Sequence, residues 1–336
     1  MVKFIHCADL HLDSPFKSRS HLSRSIFEDI QQSAYESFKN IIDIALNEEV
    51  DFVIISGDLF DKENRTLRAE VFLKEQFERL EKEQIFVYIC HGNHDPLTRS
   101  VATEWPNNVS VFSQNVETYQ TITRRGETIY LHGFSYQQDA SYENKIDAYP
   151  SSQGQEGIHI GILHGTYSKS AAKNRYTEFR LEDLNSKLYH YWALGHIHER
   201  QQLSTMPQIH YAGNIQGRHF NETGEKGCLL VEGDALNLNV QFKPTQYIRF
   251  DKATIETDKT SKHGLYEAIQ AFKDRVRPQG KAFYQLTVVI NSDEPMPEQD
   301  LTQVREMIRD YEENEHDFIF IEDLFIPVSY THLTLP

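Results

Sequence analysis

A chain of 336 residues with 39% hydrophobic and 25% charged side chains is long enough to bury a large core and to divide into one big and one smaller domain. No apolar run approaches the roughly 20 residues that span a bilayer, and the opening Met-Val-Lys-Phe-Ile-His enters a strand pattern at once, without the shape of a signal peptide. The net charge of −16 argues against a broadly basic nucleic-acid surface, but it is unevenly spread: residues 293–323 hold twelve acids against two bases.

Lys3–His6 reads as a short buried strand, and the polar stretch after it carries Asp9-Leu10-His11. Ser23 is a candidate N-cap for a long amphipathic helix with Ile26, Phe27, Ile30, Ala34, Phe38, Ile41, Ile42 and Ala45 at helical spacing. Phe52–Ile55 is a continuous apolar strand that runs into Gly57-Asp58-Leu59-Phe60-Asp61, and a second helix follows with Ala69, Leu73, Phe77 and Leu80 on one face. Ile85–Cys90 is the third strand, broken by Gly92-Asn93-His94-Asp95-Pro96. Strands and helices alternating at this spacing imply a parallel sheet, in which ligands lie beyond the carboxyl ends of the strands. From residue 109 the strands shorten: Val109–Phe112, Thr128–Phe134, Ile158–Leu163, Tyr191–Leu194, Ile209–Ala212, Gly227–Val231 and Leu236–Phe242, with the polar stretch 139–157 reading as a mobile loop.

The simplest assembly is a four-layer α/β/β/α domain over residues 1–245, made of two packed sheets with helices outside them. The pattern resets near 245. Residues 246–327 read as a small α+β capping domain, with strands at Tyr247–Ile255, Phe283–Ile290 and Phe318–Ile321 and helices near 264–276 and 298–311. Residues 328–336 do not continue it and read as an unstructured or foreign tail, with the small domain cut short as one reading. Cys7, Cys90 and Cys228 lie in or beside apolar strand-like runs without CxxC spacing, which predicts buried free thiols, a reducing compartment and a cytoplasmic protein with no membrane association.

Two further motifs, His164-Gly165 and Gly195-His196-Ile197-His198, also end hydrophobic runs. Taken singly, a Gly-Asp is an ordinary turn and a histidine at a strand end is ordinarily just hydrogen-bonded. Five such motifs in order, each after a strand, are not explained that way. Asp9 and His11, read as an extended segment, point the same way and can grip one ion. Asp58 can bridge two metals with its two oxygens, Asn93 offers an amide oxygen, and His164, His196 and His198 add imidazoles. Nitrogen and oxygen ligands without thiolate suit Mn, Fe or Zn, and two adjacent divalent metals most often serve phosphoryl chemistry. His132-Gly133 mimics His164-Gly165, and both follow a strand; His6, His91, His159 and His210 read as core or loop histidines.

The set D-x-H, G-D-x-x-D, G-N-H-D/E, H and G-H-x-H resembles the calcineurin-like metallophosphoesterase superfamily, and more narrowly the SbcD-type DNA exonucleases, bacterial and archaeal relatives of the Mre nuclease. Asp9-Leu10-His11-Leu12-Asp13-Ser14-Pro15-Phe16 is similar to their YhaO-like branch. The block Tyr211-Ala212-Gly213-Asn214-Ile215-Gln216-Gly217-Arg218, continuing through Phe220, Glu222, Lys226-Gly227 and Leu230-Val231-Glu232, resembles a second family pattern, from which Ala212 and Asn214 depart. The resemblance covers residues 1–245. It implies that Asp9, His11, Asp58 and His198 hold one metal, and that Asp58, Asn93, His164 and His196 hold the other. It implies His94 as general acid or transition-state stabiliser at the leaving oxygen, with Asp95 orienting its ring, and Asp61 behind the ligands. The ions implied are manganese, with iron, zinc or magnesium as alternatives.

The leading expectation is therefore a metal-dependent DNA exonuclease or endonuclease working in DNA repair with an SMC-type, Rad50-like coiled-coil ATPase, and with a homodimer as a further expectation from the relatives. Arg218 and His219 are candidates for substrate contact, and Lys62, Arg65, Arg68, Arg99, Lys169, Lys173 and Arg175 for phosphate contact. A hydrolase of small phosphodiesters or phosphomonoesters is the second expectation, and a non-catalytic scaffold subunit of the ATPase is the third.

Overall fold

The computed structural model describes residues 1–16, 19, 22–62, 65–99, 103–142, 144–168, 176–291, 297–312 and 316–327. The chain forms two compact units: Met1–Lys17, Gln31–Gln216 and Lys226–Gln246 make the first, and Ser18–Ile30, Gly217–Glu225 and Tyr247–Pro336 the second. The stretch 328–336, expected as a tail, lies outside the described residues, as do Lys169, Lys173 and Arg175.

The chain begins β1 (Val2–Cys7), α1 (Arg24–Asn47), β2 (Phe52–Ser56), α2 (Leu67–Lys82), β3 (Phe86–Cys90) and β4 (Val109–Val111). Next come β5 (Glu117–Ile122), β6 (Thr128–Gly133), β7 (Ile158–His164), β8 (Thr166–Tyr167), β9 (Glu178–Phe179), α3 (Leu181–Asn185) and β10 (Tyr191–Gly195). β11 (Gln201–Thr205), β12 (Gln208–Tyr211), β13 (Gly227–Gly233) and β14 (Leu238–Pro244) complete the first unit. One six-stranded sheet runs β14-β13-β1-β2-β3-β4 and a second runs β11-β12-β10-β7-β6-β5.

Alternation along each strand sorts the side chains into layers. Ile5 and Cys7 of β1 face a cluster with Phe38 of α1 and Leu73 and Phe77 of α2. Phe4, one step out of phase, joins Ile54, Ile160 and Ala193 between the two sheets. Beyond the second sheet Trp192 and Leu163 pack with Leu184 of α3 and Tyr149. The result is the expected α/β/β/α arrangement. All three cysteines are buried and unbridged.

The stretch 139–157 departs from the mobile loop expected of it. Lys145–Ala148 forms a 3-10 turn, Ile146 and Tyr149 enter the outer core, and the Tyr149 hydroxyl donates to the Ile162 carbonyl at 2.7 Å. Ser152 donates to the Leu188 carbonyl at 2.6 Å. Two isolated apolar anchors in polar sequence have no periodicity to announce them, yet they suffice to dock a surface segment.

In the second unit β15 (Arg249–Thr257), α4 (Lys262–Val276), β16 (Ala282–Ile290), α5 (Glu298–Glu312) and β17 (Ile319–Phe325) give a parallel sheet ordered β15-β16-β17. Leu265, Ile269 and Phe272 of α4 and Val304 and Ile308 of α5 cover one face against Leu286 and Val288. The other face carries Phe250 and Phe283, over which the Arg19 guanidinium lies 4.6 and 5.2 Å from the ring centroids. Arg19 is 5% exposed and donates to Glu322 and to the Arg218 carbonyl, so it is satisfied both as a cation and as a donor.

Candidate active site

Pairing does not stop where β1 and β2 end. The Asp9, His11 and Leu12 amides donate to the Gly57, Asp58 and Leu59 carbonyls at 3.0, 3.1 and 3.0 Å, which zips the two loops together beyond the sheet. Asp9, His11 and Asp58 have φ of 52, 45 and 53°, and His196 has 101°. The expected extended run through Asp9 and His11 is therefore corrected: the two side chains converge because both residues sit in the left-handed region. Non-glycine residues hold that conformation only where the surroundings over-determine it, as functional loops often do.

Around these loops the side chains of all five motifs meet. Asp9, His11 and His198 offer ligand atoms within 4.8 Å of one another, as do His11, Asp58 and His94, and Asp9, Asp58 and His164. The Asn93 amide oxygen lies 3.1 Å from His164 Nε2 and 3.1 Å from His196 Nδ1. His11 Nε2 and His198 Nε2 are 3.0 Å apart. The Asp58 carboxylate lies 3.4 Å from His164 Nε2 and 3.9 Å from His11 Nε2, and its other oxygen accepts from the His94 amide at 2.9 Å. The Asp9 carboxylate accepts from the His196 amide at 3.1 and 3.2 Å. Close packing requires glycine at two points: a Cβ on Gly57 would stand 2.2 Å from His164 Nδ1, and one on Gly92 would stand 2.2 Å from an Asp58 oxygen.

The electrostatics suit cations. Burial raises the pKa of Asp9. Burial would lower that of His164, but the Asp58 carboxylate holds it up to about 9, and Asp58 in turn is held well below the usual carboxylate range against its own burial. His164 Nδ1 donates to the Ser56 carbonyl at 2.9 Å, which leaves Nε2 facing the oxygens of Asp58 and Asn93. Only a proton or a metal cation can satisfy a ring nitrogen so placed. His196 is pushed down to about 3 by burial and by His164, so its ring is neutral. The residues thus fit divalent metal binding by donor chemistry as well as by convergence.

Asp95 does other work than expected. It is 1% exposed and accepts from the Leu59 amide (2.8 Å) and the Gly92 amide (2.8 Å), and His91 Nδ1 lies 3.1 Å from it without hydrogen-bonding to it. The carboxylate therefore staples the loop bearing Asp58 to the loop bearing Asn93 instead of gripping the His94 ring, whose neighbour is the His11 ring at 4.8 Å. Asp61 accepts from Ser14 at 3.2 Å, outside the ligand groups. His132 lies in a stack with His159 and Tyr189, also outside them.

The basic candidates are largely engaged within the chain. Lys62 pairs with Asp139 at 2.6 Å, Arg65 with Glu70 at 2.9 Å, and Arg99 with Asp139 and the His94 carbonyl, while Arg68 lies over Tyr35. Arg218 pairs with Glu222 at 3.0 Å, and His219, half-exposed, lies 3.7 Å from the same carboxylate; both belong to the second unit. Sequence reasoning missed the roles of Ser56, which sets the His164 tautomer, His91, which backs Asp95, and Tyr136 and Tyr176, whose rings lie 5.7 and 4.6 Å from those of His164 and His196. Ser56 and His91 directly precede the Gly57 and Gly92 motifs, the one signal that points to them; the two tyrosines adjoin no motif.

A sandwich of two sheets with an Asp/His cluster at the strand ends is the architecture of a metal-dependent phosphoesterase. Residues 2–200 match the family model for calcineurin-like phosphoesterases, and the chain belongs to that family. It is 39% identical over 326 residues to the uncharacterized metallophosphoesterase YhaO of Bacillus subtilis, covering 94% of this chain and 79% of that one. It is 24% identical to the DNA double-strand break repair protein Mre11 of Sulfolobus acidocaldarius (93% and 81% covered). It is 26% identical to the SbcD component of the SbcCD nuclease of Staphylococcus epidermidis (88% and 81%). The resemblance to the SbcD-type, YhaO-like branch is thereby borne out. No described helix is long and apolar enough to cross a membrane.

Proposed function

We propose that the protein hydrolyses phosphodiester bonds of DNA at a pair of divalent ions. The observation that carries this reading is Asp58: its carboxylate belongs to both the His11 group and the Asp9–His164 group, as a bridging ligand must. Asp9, His11, Asp58 and His198 would hold one ion, and Asp58, Asn93, His164 and His196 the other, with manganese the favoured metal. Such ions, when bound, make water acidic and neutralise charge on phosphoryl oxygens.

The chain's own residues do the rest. Asp9 and Asp58 bring negative charge into a buried site, so that the loaded centre is balanced rather than strongly cationic. His94, anchored by its amide on Asp58, supplies a proton to the leaving oxygen. Asp95 keeps the loop of Asn93 and His94 in register with that of Asp58. Residues 1–245 would form the hydrolase part and 246–327 a smaller cap, with Arg218 and His219 as substrate contacts.

DNA as substrate, a role in repair, a coiled-coil ATPase as partner and self-association rest on similarity to the Mre11 and SbcD proteins along most of the chain. A small phosphodiester is the second reading, favoured by the bases near the site, whose charges are already matched by Asp139 and Glu70. Incubating the protein with linear single- and double-stranded DNA and with a small chromogenic phosphodiester, each with Mn²⁺, separates the two. Degradation of DNA supports the nuclease, and cleavage of the small ester with intact DNA overturns it.

A further inference from the structure

Beyond the carboxyl end of β6, in the first unit, the chain walls a cleft of about 550 Å³. Amide side chains of Gln114, Asn115, Gln137 and Gln138 line it together with the rings of Tyr136 and Tyr142. Among the described lining residues Lys145, over the Phe134 ring at 5.9 Å, is the one cation, and none is a carboxylate. In a chain of net charge −16 that composition stands apart. Asp139, between these residues in sequence, is held by Lys62 at 2.6 Å and Arg99 at 3.3 Å.

The cleft adjoins the ligand loops on two sides. The Tyr136 amide donates to the His91 carbonyl at 3.0 Å and its carbonyl accepts from the Leu97 amide at 2.9 Å, so the segment after β6 runs beside the loop of Asn93 and His94. The Tyr136 ring meets the His164 ring edge-on. Ser141 accepts from the Thr177 amide at 2.8 Å and forms a bridge with Tyr176, the ring against His196. One aromatic ring thus separates each side of the cleft from a ligand imidazole.

We propose that this cleft receives the unstacked base of the nucleotide next to the phosphate being cleaved, an inference that rests on the phosphodiesterase reading above. Amides carry both donors and acceptors, as the edges of all bases do, and a set of four tolerates more than one base. Tyr142, 73% exposed, offers an open ring on which a base can stack. Described lining residues without a carboxylate spare the neighbouring phosphate from repulsion, and Lys145 attracts it. Peptides and sugars also bond to amides, but neither brings a phosphodiester to the adjacent ligands.

The test pairs Gln137→Ala with Tyr142→Ala, both at exposed positions. Hydrolysis of thymidine 5′-(p-nitrophenyl phosphate) is compared with that of methyl p-nitrophenyl phosphate, which has the same leaving group and no base. The double variant should lose about tenfold in kcat/KM on the nucleotide ester and change by less than about twofold on the methyl ester. Equal loss on both, or loss on neither, overturns the proposal. A second readout needs no turnover: 2-aminopurine fluorescence, in the deoxynucleoside monophosphate and in a single-stranded phosphorothioate oligonucleotide. Quenching by the native protein that the double variant relieves supports the cleft, for free nucleotides or for strands according to which probe responds. Quenching that survives the substitutions, or none at all, overturns it. If neither ester were cleaved the hydrolase reading would fail, while the fluorescence would still decide the cleft.

Discussion

His132 in β6 and His159 in β7 are as deeply buried as His164 at the end of β7, at 2, 0 and 0% exposure. Burial pushes the first two down to about 3 and about 4, with each other or His190 adding to the effect, whereas His164 stands at about 9. The difference lies in what each ring faces. His132 lies between the Thr118 hydroxyl (2.8 Å) and His159 Nδ1 (3.0 Å), while His164 faces the Asp58 carboxylate and the Asn93 amide oxygen. Burial alone keeps an imidazole neutral and inert; burial beside a carboxylate makes it a place for a cation. His132-Gly133 and His164-Gly165 are the same dipeptide in sequence, and only the loops arriving from β1, β2 and β3 distinguish them.

The comparison can be broken most sharply at His94, whose ring lies in the carboxylate-bearing group and which the proposed function makes a proton donor rather than a ligand. His94→Gln should lower kcat on a chromogenic phosphodiester by about 10²–10⁴-fold, as loss of a general acid does, with metal content unchanged. Loss of metal together with rate would make His94 a ligand instead. The inert cluster yields a smaller effect, read in stability. His132 has a folded pKa below that of the unfolded chain, so protons bind the unfolded state first. Its contribution is complete above pH 6.5 and is lost as pH falls towards about 3, by up to about 1.4 kcal/mol per unit. Urea unfolding of the metal-free protein at pH 7 and pH 5 should therefore show a steeper decline for the native chain than for His132→Leu. Parallel declines would mean that His132 is not kept neutral by the fold.

Much of this was legible in the sequence because it is periodic or punctuated. α1 and α2 followed from apolar spacing, and β1, β2 and β3 of the first sheet from short, mostly apolar runs that end at polar turn motifs. The edge strands β5 and β11, Glu-Thr-Tyr-Gln-Thr-Ile and Gln-Gln-Leu-Ser-Thr, were not, since strands exposed to solvent carry few apolar residues. The side chains that converge were readable from five motifs, but not the left-handed turns that aim Asp9 and His11, nor the stapling by Asp95, because both depend on contacts between loops distant in sequence. The cleft beside β6 was hidden for a similar reason: its amides come from two separate segments with no motif in either.

The shared carboxylate is the claim on which the account turns, and metal stoichiometry tests it most directly. After dialysis against Mn²⁺, inductively coupled plasma mass spectrometry of the native chain should find about two ions per chain. Asp58→Asn, which keeps an oxygen for the His94 amide, should retain about one ion or fewer, because one substitution weakens both sites. A native chain that binds a single ion, or an Asp58→Asn chain that keeps two, would contradict it.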